Sequence, residues 1–184
     1  MALIPLSDAR DQLNLPAQDD DLVGRLIAAA ERHIENATGK VFATETREFR
    51  FDGFADRLEL PVSPVTSIAS ITYIERNGAE QTLDPAAYVA RPLGTDMAAT
   101  MIYRAPGATW PCTDRCRGAS VTVEAVVGYG DYDDVPAPLV QAALMLIGHL
   151  YENREATFIA NSAQAAIVPL GVVDLIEPYR RRVF

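Results

Sequence analysis

Two cysteines and two histidines are the residues of this 184-residue chain best suited to metal or nucleophilic chemistry. Cys112 and Cys116 are spaced C-x3-C. A structural zinc site needs about four ligands, usually supplied by closely spaced Cys and His pairs. This chain has no second cysteine pair, and His33 and His149 fall on separate predicted helices. The two cysteines read as loop thiols, able to form a local disulfide outside a reducing compartment. Asp131, Asp133 and Asp134 resemble part of a calcium loop, but Pro136 and Pro138 stand where the ordered pattern needs other residues. A solvated acidic turn explains them more simply. Asp19, Asp20 and Asp21 are consecutive at a helix start, where capping and the helix dipole account for them. His149 lies on the most apolar helix and reads as a buried, hydrogen-bonded histidine. No G-x-S-x-G, Walker A or G-x-G-x-x-G motif occurs. Gly128-Tyr129-Gly130 lacks both the third glycine and the helix start that cradling a phosphate requires. The sequence therefore predicts no catalytic residue, no cofactor and no metal. Arg180-Arg181-Arg182 is the one basic cluster; it suits a helix C-terminus or, beside Val183 and Phe184, a docking segment.

The elements that position these residues follow from periodicity. Leu6 to Leu13 reads as a short helix with Ser7 as N-cap and Leu6 as a hydrophobic staple. A second helix is predicted over about Asp20 to Thr38. Leu22, Val23, Leu26, Ile27, Ala30, Ile34 and Ala37 recur at spacings of three and four, with Arg25, Glu31, Arg32 and Glu35 mostly off that stripe. Gly39 is its expected C′ residue. From Arg47 to Val127 the period changes to that of strands. Strands are predicted near 47–52, 57–60, 65–76, 80–83, 88–91, 100–104 and 120–127. Asn77-Gly78 predicts a type I′ hairpin turn, and Ala105 to Gly118 a loop. Together the strands predict a small antiparallel sheet or two packed sheets. Pro136 and Pro138 open a third helix, 139–152, apolar on nearly every face. Its core or interface residues are expected to be Leu139, Val140, Ala143, Leu144, Ile147, Leu150 and Tyr151. Residues 155–169 have no period and read as a mobile loop. A last short helix starts near Leu170 or Gly171.

The expected class is α+β. Residues 1–45 and 131–184 form a small helical bundle, and residues 46–130 form an antiparallel β-rich insertion. Apolar residues make up 49% of the chain and charged residues 22%, enough for a real core. With 16 basic and 25 acidic residues the net charge is −9, which argues against gripping nucleic acid over the general surface. The same charge would let DNA pass without sticking. The start MALIPLSDARDQL has neither a basic region nor a long apolar run, so no signal peptide is expected. The longest apolar run, around Leu139 to Ile147, is too short to span a membrane.

Three stretches in combination resemble the head–tail connector (adaptor) family of tailed phages and phage-derived gene transfer agents. They are Val135-Pro136-Ala137-Pro138-Leu139-Val140-Gln141-Ala142-Ala143-Leu144, Tyr151-Glu152-Asn153-Arg154-Glu155, and the ending Pro169 to Arg180. The opening Leu6 to Leu13 and the Asp-rich second helix are also similar to the family's N-terminal region. The β-rich middle departs from the shorter helical members and resembles the subgroup with a β insertion. The resemblance implies a structural subunit and not an enzyme. It implies a ring of about twelve copies below the portal, with a tail-side stopper or tail terminator protein as the other partner. DNA would pass through the channel without specific binding, in a virion or phage-like particle and with no membrane contact. It also implies that Tyr179, Arg180, Arg181, Arg182, Val183 and Phe184 reach the portal protein. Two other readings stay open on the residues alone: a monomeric protein-binding module acting through the β insertion, or a small metal-dependent hydrolase using the acidic turn or the Cys112 loop.

Overall fold

The computed structural model describes residues 3–13, 20–96, 98–114, 118–153 and 169–180. The chain divides into two units, residues 1–43 with 130–184, and residues 44–129. The class is α+β, with four helices and two antiparallel sheets among the described residues.

The first unit is helical. Helix α1 spans Leu6–Leu13, α2 Asp20–Thr38, α3 Ala137–Glu152 and α4 Leu170–Ile176. Helix α2 packs on α3, α3 on α4, and α1 touches both α2 and α3. The apolar stripe of α2 is realised: Val23, Ile27, Ala30 and Ile34 are buried. Gly39 follows the helix at φ 73°, and its N–H donates to the Glu35 carbonyl at 2.8 Å. A glycine takes this left-handed conformation without the penalty a Cβ brings. Proline opens α3, where its missing N–H would have had no partner in any case.

Three expectations need correction here. Ser7 is not an N-cap: α1 begins at Leu6, and the Ser7 hydroxyl donates to the neighbouring Asp8 carboxylate at 3.0 Å. Leu6 is accordingly inside the helix and half-buried, not ahead of a cap. Glu31 is not off the α2 stripe but buried within it.

The second unit is built of strands. They are β1 Glu45–Phe51, β2 Arg57–Glu59, β3 Val65–Ile74, β4 Glu80–Thr82, β5 Tyr88–Arg91, β6 Met101–Arg104 and β7 Val121–Val127. Four make one sheet in the order β1-β7-β3-β4, and three make another in the order β2-β6-β5. Strand β7 is one of the two inner strands of the first sheet. Its Val121, Val123, Ala125 and Val127 are buried, alternating with half-buried Thr122, Glu124 and Val126. Period-2 alternation sends these two sets to opposite faces. On the core side the registers bring Phe49 and Ile71 beside Val123. Phe54 completes that region, stacking on Trp110 at 4.7 Å between ring centres and meeting Tyr73 edge-on at 5.7 Å.

The hairpin at Asn77-Gly78 is not type I′. Among described non-glycine residues only Ala119 has positive φ, so Asn77 does not supply the first of the two positive values a I′ turn needs. Instead Gly78 alone sits at φ 85°. Its N–H donates to the Glu75 carbonyl at 2.9 Å, and the Glu75 N–H donates to the Ala79 carbonyl at 2.9 Å. This is the longer hairpin in which an ordinary turn is followed by a left-handed glycine. The Asn77 side chain supports it by accepting from the Ala79 N–H at 2.8 Å.

Candidate functional site

The residues first considered for chemistry are not gathered. Cys112 is an exposed free thiol, and Cys116 lies outside the described residues. His33 is exposed on α2. His149 is not buried, as its apolar helix suggested: it is half-buried in the last turn of α3, its Nδ1 3.2 Å from the Asn153 side-chain amide. Among the described residues no group of three or more His, Cys, Asp or Glu is placed to hold a metal ion. No described helix is long and apolar enough to cross a membrane.

The acidic groups act instead on the chain's own backbone and side chains. Glu31, 7% exposed, accepts from the backbone N–H of Leu3 at 2.8 Å and of Ile4 at 2.7 Å. Burial pushes its carboxyl above the ordinary range, outweighing the two backbone donors that pull it down. One turn on, Glu35 accepts from the Phe42 N–H at 2.9 Å and pairs with Arg32 at 3.2 Å. Asp20 does more than face the helix dipole: it forms an ion pair with Arg10, tying the start of α2 to α1. Asp19 lies outside the described residues, and Asp21 is exposed. In the acidic connector, Asp131, Asp133 and Asp134 are exposed. Tyr132 between them turns back to donate its hydroxyl to Asp8 at 2.6 Å. Burial, followed by that hydrogen bond, pushes the phenol up to about 12. Helix propensity and periodicity carry no signal for these carboxylate anchors, because each depends on which backbone group the fold brings within reach.

Helix α3 is mostly inward. Leu139, Ala143 and Ile147 are buried, together with Ala142 and Leu146; Val140, Leu144, Leu150 and Tyr151 are half-buried. Packing by α1, α2 and α4 thus accounts for much of its apolar surface. Near the C-terminus, Tyr179 is half-buried in a single 3-10 turn after α4, and Arg180 is exposed and paired with Glu177 at 3.2 Å. Arg181, Arg182, Val183 and Phe184 lie outside the described residues, as do 154–168, most of the segment read as a loop.

No protein-family model and no curated protein matches the chain. Solved structures do. A chain in the neck of an empty gene transfer agent (GTA) particle, computed with C6 symmetry, matches with a TM-score of 0.78 and 26% identity, covering 99% of this chain and 92% of that one. A chain in the virion of a native GTA particle matches with a TM-score of 0.76 and 27% identity, over 99% and 92%. A chain in the neck of a native GTA particle, computed with C12 symmetry, matches with a TM-score of 0.70 and 28% identity, over 100% and 91%. The likeness that the sequence carries at its two helical ends therefore extends through the β-rich middle. Along its whole length this chain is similar in structure to chains of gene transfer agent particles, two of them in particle necks and one in a virion.

Proposed function

We propose that this chain is a structural subunit of the neck of a phage-like particle, where it joins the capsid to the tail as a head–tail adaptor. The observation that carries the reading is the match over 99% of the chain, at a TM-score of 0.78, to a chain of a particle neck. A likeness of that extent includes both units and is not confined to a common helical motif. Such neighbours point to a structural and not a catalytic role.

In this reading copies of the chain form a closed ring. The C6 and C12 symmetries of the similar necks support cyclic assembly, in which each copy presents two different surfaces to its neighbours. The ring sits below the portal and passes DNA through its centre, and the net charge of −9 suits a surface that does not hold phosphates. The C-terminal segment from Tyr179 to Phe184 contacts the portal protein, and a tail-side stopper or terminator docks on the opposite side. The half-buried residues of α3, Val140, Leu144, Leu150 and Tyr151, are available to contribute to a subunit contact.

Deleting the gene tests the adaptor reading. The expected product is filled heads and free tails that do not join, restored by the chain supplied in trans. Normal tailed particles from the deletion would overturn it. A chain ending at Tyr179 tests the portal contact separately: retained portal attachment would remove that role from Arg180 to Phe184 and leave the adaptor role standing.

A further inference from the structure

We infer that the outward face of the three-stranded sheet is where one copy of this chain holds the acidic connector, Asp131 to Asp134, of the next copy. This rests on the ring reading above and names the surfaces that would close the ring.

The face is defined by register. Leu58, Ile102 and Ala90 stand side by side across β2, β6 and β5, and Leu58 and Ile102 are buried. That row points into the protein. The rows on either side of it point the other way, because successive residues of a strand alternate faces. One such row is Arg57, Tyr103 and Val89; the other is Glu59, Met101 and Arg91. Tyr103 is 41% exposed, an unusual position for a large aromatic, and Arg57 and Arg91 are exposed beside the apolar residues. Neither arginine forms an ion pair among the described residues, a state they share with Arg25, Arg76 and Arg104. An exposed tyrosine with an arginine and a valine beside it, and a methionine and a second arginine in the next outward row, is the composition of an interface centre.

Charge selects the occupant. A nucleic acid partner would need a broad basic surface, and the two outward rows carry Arg57 and Arg91 at opposite corners, with Glu59 in the row of Arg91, on a chain of net charge −9. An acidic protein surface fits better, and the chain itself supplies one. Asp131, Asp133 and Asp134 are exposed on the connector and form no ion pair among the described residues. The Tyr132 hydrogen bond to Asp8 fixes the connector to the helical unit, so the carboxylates are presented on a held turn. A head-to-tail ring contact needs two unlike, complementary patches on each copy, and these two meet that need.

A charge swap in assembling particles tests this. Arg57→Glu with Arg91→Glu is expected to lower the yield of tailed particles by about tenfold or more, as is Asp131→Arg with Asp133→Arg, since like charges brought face to face oppose docking. Combining all four substitutions is expected to restore assembly. The milder pair Arg57→Gln and Arg91→Gln, with an unchanged circular dichroism spectrum, is expected to give an intermediate loss and separates docking from folding. Wild-type yield from either charge-reversed pair would overturn the inference, and so would failure of the combined variant when each pair alone retains its circular dichroism spectrum. Intact necks with impaired DNA release from the arginine variants would overturn it in favour of a nucleic acid contact. The adaptor reading is judged separately, by whether the wild-type chain is found in the neck.

Discussion

Glu31 offers the sharpest test of how the helical unit is held together. Its Oε1 alone accepts both the Leu3 and Ile4 N–H groups, at 2.8 and 2.7 Å. Replacing it with alanine removes both bonds. Each hydrogen bond to a charged acceptor contributes about 1.5–3 kcal/mol at face value, but here the buried carboxylate also carries a desolvation penalty, which its raised pKa records. If residues 3 and 4 detach to recover their bonds from water, Ile4, only 4% exposed, loses its burial, at roughly 2 kcal/mol. Glu31→Ala is therefore expected to destabilise the protein by about 3 kcal/mol. Glu31→Gln keeps an acceptor oxygen and removes the buried charge, so its effect is expected to stay within about 1 kcal/mol. The pH dependence has a definite sign. A carboxyl raised above its ordinary 4.5 in the folded state imposes its full charge penalty above the folded pKa. That penalty is relieved as pH falls through the folded pKa toward 4.5. Wild type should therefore gain stability relative to Glu31→Gln across that window. Urea unfolding at several pH values gives these differences, and amide exchange at Ile4 reports the local release. An alanine variant within about 0.5 kcal/mol of wild type, with Ile4 still protected, would refute the reasoning.

Tyr132→Phe deletes the hydroxyl that donates to Asp8 at 2.6 Å and is expected to cost about 1–2 kcal/mol. Because that phenol is raised from 10.0 to about 12, the stability it confers is fully present below pH 10 and is lost as pH rises through 12. Alkaline unfolding of the variant beside wild type checks the sign, and ultraviolet titration of the variant should lack the phenol that ionises at about 12 in wild type. Ile147→Ala, in the fully buried centre of α3, is expected to cost about 3 kcal/mol in urea unfolding. Gly78→Ala, at φ 85°, is expected to cost about 1–2 kcal/mol, whereas the same change at an unstrained loop position should cost little. Gly171→Ala would bring a Cβ to 2.8 Å from the Met145 methyl carbon. A methionine end can swing away, so thermal melting should show a loss of no more than about 1 kcal/mol.

Local chemistry made some of this fold legible and hid the rest. Helix α2 was readable to its ends, because Asp20 and Asp21 mark its start, Gly39 its stop, and the apolar spacing of three and four its buried face. The strands were readable from alternation, as in the buried and half-buried residues of β7. Their pairing was not: the order β1-β7-β3-β4 brings Phe49 beside Val123 across a long stretch of chain, and nothing in either segment encodes the other. Glu31 reads as a surface residue by polarity, and only the approach of residues 3 and 4 makes its burial tolerable. Asn77-Gly78 announced a turn, but the dipeptide suits more than one hairpin, and the longer one is adopted. His149 shows the limit of inferring burial from a helix's mean character, since the last turn of an apolar helix can still face outward. The proposed assembly role had no local chemical signature. It was legible only through the combined likeness of the helical ends to head–tail connectors, and the candidate docking face on β2, β6 and β5 emerges only once the register aligns Arg57, Tyr103 and Val89.

The most direct test is electron cryomicroscopy of purified particles from the producing cell. Neck density is expected between the head and the tail, into which both units of this chain fit in repeated copies around the particle axis. A complete neck whose density accommodates neither unit, in particles from which the chain is absent, would contradict it.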